Sequence, residues 1–221
     1  MLLAEDLLLL LTDDETGKLV VSGTEMDIAL GGAQLVELSM SGHVDVDERK
    51  RLAVRDSTPT GDPILDRSLA TVREREGKKP SSEIGRLGKG LRAELYERLA
   101  GSGILRAEEG KVLGLFPTTK WPTSSADHEA AVRRAITAAL VQGTTPEARD
   151  GALISLLHAL RSTHKVVDPK AHDLKRKDLD RRAKEVAEGG WASKAVREAI
   201  DAMMAAVMVS VTAGAAAAGS S

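Results

Sequence analysis

Arg86, Lys89 and Arg92 recur every third residue. On a helix that spacing puts them on one face, while Leu87, Leu91, Leu95 and Leu99, four apart, share the opposite face. Gly88 and Gly90 lie among the cations, and glycine lets backbone N–H groups approach a ligand closely. A helix starting here adds the positive end of its dipole. Such a combination suits a phosphate. Gly101-Ser102-Gly103 then stops the helix, and Ile104 to Phe116 reads as strand, turn at Glu109-Gly110, and strand. The far strand carries Leu113, Leu115 and Phe116, with Trp121 close by, so an apolar flap stands beside the anion site. That pairing suits a membrane surface or a second subunit. A cation near an anionic leaflet contributes roughly 1 kcal/mol and a buried large apolar side chain roughly 1.5–3 kcal/mol. Three of the first and two of the second approach the ~8 kcal/mol of a micromolar complex, and neither feature suffices alone.

Other chemistries find less support. The five histidines (His43, His128, His158, His164 and His172) show no metal-ligand spacing, so no metal and no cofactor is expected. His158 lies in an apolar helix and reads as a core residue. Gly85 to Gly90 lacks the Ser or Thr that follows Lys in a phosphate-binding loop, and no strand precedes it. There is no nucleophile elbow and no Ser/His/Asp order, so no catalytic residue is assigned and an enzyme is not expected. Asp13-Asp14 and Glu108-Glu109 read as solvated turns. The basic run from Lys165 to Lys184 is interleaved with Asp173, Asp178 and Asp180. Its plain reading is a solvated helix with i,i+4 pairs, and its alternative is a nucleic-acid or membrane patch. No aromatic residue is interleaved, which counts against stacking on single strands.

The elements that must position these residues are mostly helices. Residues 2–12 read as a short apolar helix, 17–21 as a short strand, and 26–40 as a helix stopped by Gly42. A hairpin follows around Asp47 to Lys50. Helix, Gly stop and hairpin thus occur twice, over 35–54 and 95–116. Asp62-Pro63, Thr145-Pro146 and Asp168-Pro169 each put an oxygen-bearing N-cap before a proline, which predicts helices over 63–76, 146–162 and 169–187. Further helices are expected over 125–142 and 191–213. Together they describe a mainly α protein: a single compact helical domain over 1–213 with peripheral β-hairpins, then a flexible Ala/Gly/Ser tail over 214–221.

The bulk numbers agree. The 221 residues are 42% hydrophobic and only 2% aromatic, so Leu, Val and Ala must build the core, which favours helices. A net charge of -2 means any affinity for polyanions must come from a local patch. There is no Cys, which excludes disulfides and is compatible with a reducing, cytoplasmic setting. The Leu7 to Leu11 run carries Glu5 and Asp6 and lacks a basic start, so it is not read as a secretory signal. The uncharged stretch from Ala202 is too Ala- and Gly-rich for a membrane span.

Several segments in order resemble the Golgi phosphoprotein 3 family. Arg55 to Asp66, with Pro59-Thr60-Gly61-Asp62, looks like that family's Pro-Thr-Gly-Asp segment. Leu30 to Leu38 with Gly42 resembles its helix before the first hairpin. Leu91 to Leu105, Val112 to Phe116 with Thr118-Thr119, and the Ala/Met/Val-rich last helix also fall in family order. The resemblance runs from about residue 2 to 212, and the Ala/Arg/Asp-rich composition suits a bacterial member. It implies a peripheral membrane protein that binds phosphatidylinositol-4-phosphate, is not an enzyme, and serves as an adaptor for the cytosolic tails of membrane-bound glycosyltransferases. The family's basic pair falls on Lys89 and Arg92. Its pocket arginine falls on Gly31, and its pocket tryptophan falls near Ser22 to Thr24, where there is none. Its membrane-contacting, oligomerising hairpin corresponds to about Leu105 to Phe116.

These strands combine into one expectation: a cytoplasmic, peripheral membrane protein gripping anionic phospholipid headgroups with Arg86, Lys89 and Arg92. Leu113, Leu115 and Phe116 would touch the bilayer or a second copy. Two rivals stand. One is a winged-helix-like DNA-binding protein, helped by Arg49, Lys50 and Arg51 but lacking a basic recognition helix, so nucleic acid is not the expected partner. The other is a protein-binding scaffold whose lipid site has decayed.

Overall fold

The computed structural model describes residues 1–112, 116–189 and 194–218. At its centre lies α1 (Leu3–Leu10), every residue of which is buried. The Leu run supplies Leu3 and Leu7 to Leu11 to the core, none more than 1% exposed. Glu5 and Asp6 are buried with it, each paired to an arginine from another helix. Against α1 packs α2 (Gly23–Met40), opened by a capping box in which Ser22 Oγ accepts from Glu25 N–H and Glu25 accepts from Ser22 N–H.

The rest follows in chain order: β1 (Val44–Val46), β2 (Leu52–Val54), α3 (Pro63–Glu74), α4 (Pro80–Gly88), α5 (Leu91–Gly101), β3 (Glu108–Val112), β4 (Phe116–Lys120), α6 (Asp127–Thr137), α7 (Ala148–Ala159), α8 (Thr163–Val166), α9 (Arg176–Ala187) and α10 (Lys194–Ala218). The fold is mainly α, with two antiparallel two-stranded hairpins, β1–β2 and β3–β4. α10 continues past residue 213 to Ala218.

The helix–hairpin repeat is real in its hydrogen bonds. At the end of α2, Gly42 N–H donates to Ser39 O and His43 N–H to Leu38 O. At the end of α5, Gly103 N–H donates to Ala100 O and Ile104 N–H to Leu99 O. Both are Schellman caps, with Gly42 (φ 79°) and Gly103 (φ 76°) in the left-handed region that glycine enters without a Cβ penalty. Each cap turns the chain into its hairpin.

Several sequence expectations need correction. The strand over 17–21 is only a bridge between Thr12 and Leu19. Of the three proline-marked caps, Asp62 alone opens an α-helix, its Oδ1 accepting from Ile64 and Leu65 N–H. Asp168 caps a single 3-10 turn over Lys170–His172, and the chain then enters the left-handed region at Asp173 (φ 53°), which separates that turn from α9. α7 starts after Glu147, with no side-chain cap. The helix expected over 125–142 ends in a π-turn, Ala138–Gln142, whose Leu140 and Val141 carbonyls accept from Arg182. On α9, Arg176–Asp180, Arg181–Glu185 and Lys184–Glu188 form i,i+4 pairs, as a solvated basic helix requires.

One buried acid sets a pH dependence. Burial pushes the Glu129 carboxyl up to about 7, against the pull of Arg133, which donates to it at 2.7 Å. A carboxyl raised on folding binds more protons in the folded state, so its contribution falls as pH rises from about 4.5 through 7. Glu129→Gln is therefore expected to gain stability relative to the parent as pH rises. The gain should reach about 2–3 kcal/mol between pH 5 and 8, read from urea midpoints. A constant difference across that range would disprove the assignment.

Candidate anion-binding site

Arg86, Lys89 and Arg92 do not share a single helix. α4 stops at Gly88, Lys89 is extended, Gly90 takes φ 77°, and α5 starts at Leu91. The break opens a cavity of about 320 Å3 lined by Arg86, Leu87, Lys89, Gly90, Leu91 and Glu94, with Arg67, Ser68 and Thr71 of α3 across from them. Two of the three expected cations thus meet there.

The third goes elsewhere. Arg92 lies over the backbone of Gly23, with Nε 3.3 Å from Asp27 Oδ1. Burial raises the Asp27 carboxyl above its ordinary value even beside that arginine. In place of Arg92, α3 contributes Arg67, which the sequence reading missed. Arg67 and Thr71 are spaced i,i+4 on an amphipathic helix whose other face buries Leu65, Leu69 and Val72. That spacing marks a shared face; only the tertiary fold shows that the face looks onto the helix break.

The cations differ in commitment. Arg67 pairs with Glu94. Arg86 sits 3.7 Å from Glu83, which Arg75 holds more closely at 3.1 Å. Lys89 pairs with no acid among the described residues. The two hydroxyls are already donors: Ser68 Oγ to Gln34 Oε1 at 3.0 Å, and Thr71 Oγ1 to Arg67 O at 3.0 Å. While those bonds hold, each hydroxyl accepts from a ligand. The cavity therefore offers cationic N–H groups to a phosphate and hydroxyl oxygens to a donor such as a sugar or inositol hydroxyl. Helix dipoles add little here, because the carboxyl end of α4 meets the amino end of α5 at the same spot.

Position 31, where the resemblance implies a pocket arginine, has no room for a side chain. A Cβ there would stand 2.1 Å from Ile84 O, and one on Gly88 would stand 1.8 Å from Asp27 O. α2 and α4 thus meet backbone to backbone, and no side chain fits between them. α5 itself is well held. Arg98 bridges Glu5 (3.0 Å) and Asp62 (2.7 Å), joining α5 to α1 and to the start of α3. Against the push of burial, Arg98 and the α3 amides hold the Asp62 carboxyl below its ordinary value. Asp62 is thus a cap and a strut.

The apolar flap is shifted. Glu109-Gly110 lies within β3, in register with Thr119 and Thr118, so the hairpin spans 108–120 and Leu105 only bridges to Thr123. Phe116 opens β4 opposite Val112. Leu113 and Leu115 lie outside the described residues. Trp121 belongs to the domain body: it stacks on Tyr96 with ring centroids 5.1 Å apart, and Tyr96 Oη bonds Thr12 Oγ1 at 2.8 Å. Among the described residues, no cluster of His, Asp or Glu could hold a metal, and no helix is long and apolar enough to cross a membrane.

The architecture is thus a mainly helical domain with two helix–hairpin units and a cation-lined cleft at a broken helix. The chain belongs to the Golgi phosphoprotein 3 (GPP34) family, whose family model matches residues 3–203. A comparison with curated proteins finds no match.

Proposed function

We propose that the cleft between α3 and the α4–α5 break binds the phosphate of an anionic phospholipid headgroup, phosphatidylinositol-4-phosphate by family, and that the chain works as a peripheral membrane protein. The observation that carries this is the convergence of Arg67, Arg86 and Lys89 on one cavity whose lining holds a single acid, Glu94. Hydroxyl acceptors from Ser68 and Thr71 on the same wall fit a polyhydroxylated headgroup. The adaptor role toward membrane-enzyme tails, and self-association through the β3–β4 hairpin, come from the family resemblance and not from this cavity.

The test is co-sedimentation with neutral vesicles, generally anionic vesicles, and phosphatidylinositol-4-phosphate vesicles at matched charge. Arg67→Glu with Lys89→Glu is expected to weaken binding to anionic vesicles by at least about a hundredfold, at roughly 1 kcal/mol per charge near a leaflet. Arg92→Ala should bind almost as the parent does. Unchanged binding by the double variant would defeat the proposal. Preference for the phosphoinositide at equal charge would mark a shaped headgroup pocket, and equal binding to all anionic vesicles would mark a basic surface without lipid identity.

A further inference from the structure

A second surface lies at the other end of α4. The tip of the β1–β2 hairpin (Arg49, Lys50), the start of α4 (Lys79 to Ser81) and one face of α10 enclose a groove of about 500 Å3. Its floor is Ala202, Ala205, Ala206 and Val209, two turns of α10 or about 12 Å. Val209 is 61% exposed and Met208, one residue before it, 42%. With Met1 they are the exposed large apolar residues of the described chain. Arg49, Lys50 and Lys79 are exposed and pair with no acid among the described residues, and Asp201 is the single acid of the lining.

The backbone that carries these cations is held in place. Leu52 N–H donates to Lys78 O and Gly77 N–H to Leu52 O, so β2 is laced to the loop that leads into α4. Arg51 Nη1 adds a bond to Gly77 O at 2.9 Å. The backbone of the hairpin tip and of Lys79 therefore forms one edge, so binding has to order the cationic side chains but not the chain that carries them. The groove is concave, which a flat leaflet cannot fill. Its alanine floor admits close approach of a helix, and its cationic edge selects negative charge.

We propose that this groove receives an acidic amphipathic helix from a protein partner, with apolar side chains on Ala202, Ala205 and Val209 and carboxylates against Arg49, Lys50 and Lys79. Helix-in-groove recognition reads anchors at i, i+3, i+4 and i+7, and two turns of floor accommodate that set. The surface shares no lining residue with the headgroup cleft, so the two proposals stand or fall separately.

The test uses the full chain and two fluorescent helical peptides of about sixteen residues, with leucines at those anchor positions. One carries Glu at the remaining positions, the other Lys. The Glu peptide should bind at least about tenfold more tightly than the Lys peptide, and Lys50→Glu with Lys79→Glu should reverse that order. Val209→Asp, at an exposed position, should abolish binding without unfolding the domain, while Lys89→Glu should leave it unchanged. No binding of the Glu peptide, equal binding of both peptides, or indifference to the charge reversal would overturn the proposal. So would loss of anionic-vesicle binding in Lys50→Glu with Lys79→Glu, because a bilayer would then occupy this face.

Discussion

Gly31→Arg, which supplies the pocket arginine that the family resemblance implies, is expected to unfold or severely destabilise this protein and not to improve headgroup binding. The reason lies at the α2–α4 crossing. A Cβ on Gly31 meets Ile84 O at 2.1 Å and Gly88 N at 2.9 Å, and all of these are backbone atoms that no side-chain rotation can clear. The two helices would have to part, and among the described residues α2 packs on α4 as extensively as it does on α10. Opening it uncovers Leu30, Leu35 and Ile84, which are fully buried. Overpacking with loss of core contact of this kind costs about 3–5 kcal/mol, a large share of a domain's stability. Gly31→Ala should already show much of the loss. Urea denaturation of both variants is the measurement. A Gly31→Arg protein with parental stability and a new preference for phosphatidylinositol-4-phosphate would show that the crossing yields easily and has room for an arginine.

That crossing also shows what the sequence could reveal. The glycine pair Gly31-Gly32 is visible as a weak or closely packed spot, but one strand of letters does not say what approaches it. The partner is Gly88, in a segment whose glycines suggest a ligand-cradling loop. Of those glycines, Gly88 is spent on the helix crossing, and only Gly90, with its positive φ and open surroundings, serves the cleft. The Leu spacing over 87–99 is compatible with one continuous helix, and a helix interrupted at Lys89-Gly90 keeps the same residues buried, so periodicity could not detect the break. The Schellman caps at Gly42 and Gly103 were legible because a glycine after a run of helical leucines has one common use. The β3–β4 register was not, since Glu109-Gly110 has turn chemistry but is overridden by pairing with Thr118 and Thr119. Arg67 was invisible for the reason that makes sites hard to read from sequence: its role depends on which element lies beside it.

Positive charge in this cavity comes partly from α3, and not from position 31, where the resemblance places a pocket arginine. With α2 closed against α4, a cation cannot come from position 31. Arg67 reaches the cavity from α3, whose start is fixed by Asp62 and, through Arg98, by buried Glu5. The Pro59-Thr60-Gly61-Asp62 segment thus sets where α3 starts and does not line the cavity.

The largest electrostatic effect is expected at Arg149, a residue the sequence does not flag. Its Nε and Nη2 donate to Asp6 Oδ2 at 2.9 and 2.7 Å, its Nη1 to Glu37 Oε1 at 3.2 Å, and its Nη2 to Met1 O at 2.8 Å. Asp6 also bonds His128 Nε2 at 2.7 Å, and Glu37 accepts from Leu3 N–H at 2.7 Å. One guanidinium thereby joins α1, α2 and α7 at the core's edge. Arg149→Met leaves Asp6, 1% exposed, and Glu37 facing one another without their shared counter-charge. Breaking a buried pair from one side costs about 3–5 kcal/mol, more than the pair itself contributes. The pH dependence separates this from lost packing. Burial already pushes the Glu37 carboxyl above its ordinary value, and removing the arginine pushes it further. A carboxyl raised on folding takes up protons as pH falls, so the variant's deficit should shrink between pH 7 and 5. Chemical denaturation at those two pH values is the measurement. A deficit that stays constant would assign Arg149 to packing, and a deficit below about 1 kcal/mol at pH 7 would mean the network is solvated, as surface pairs are.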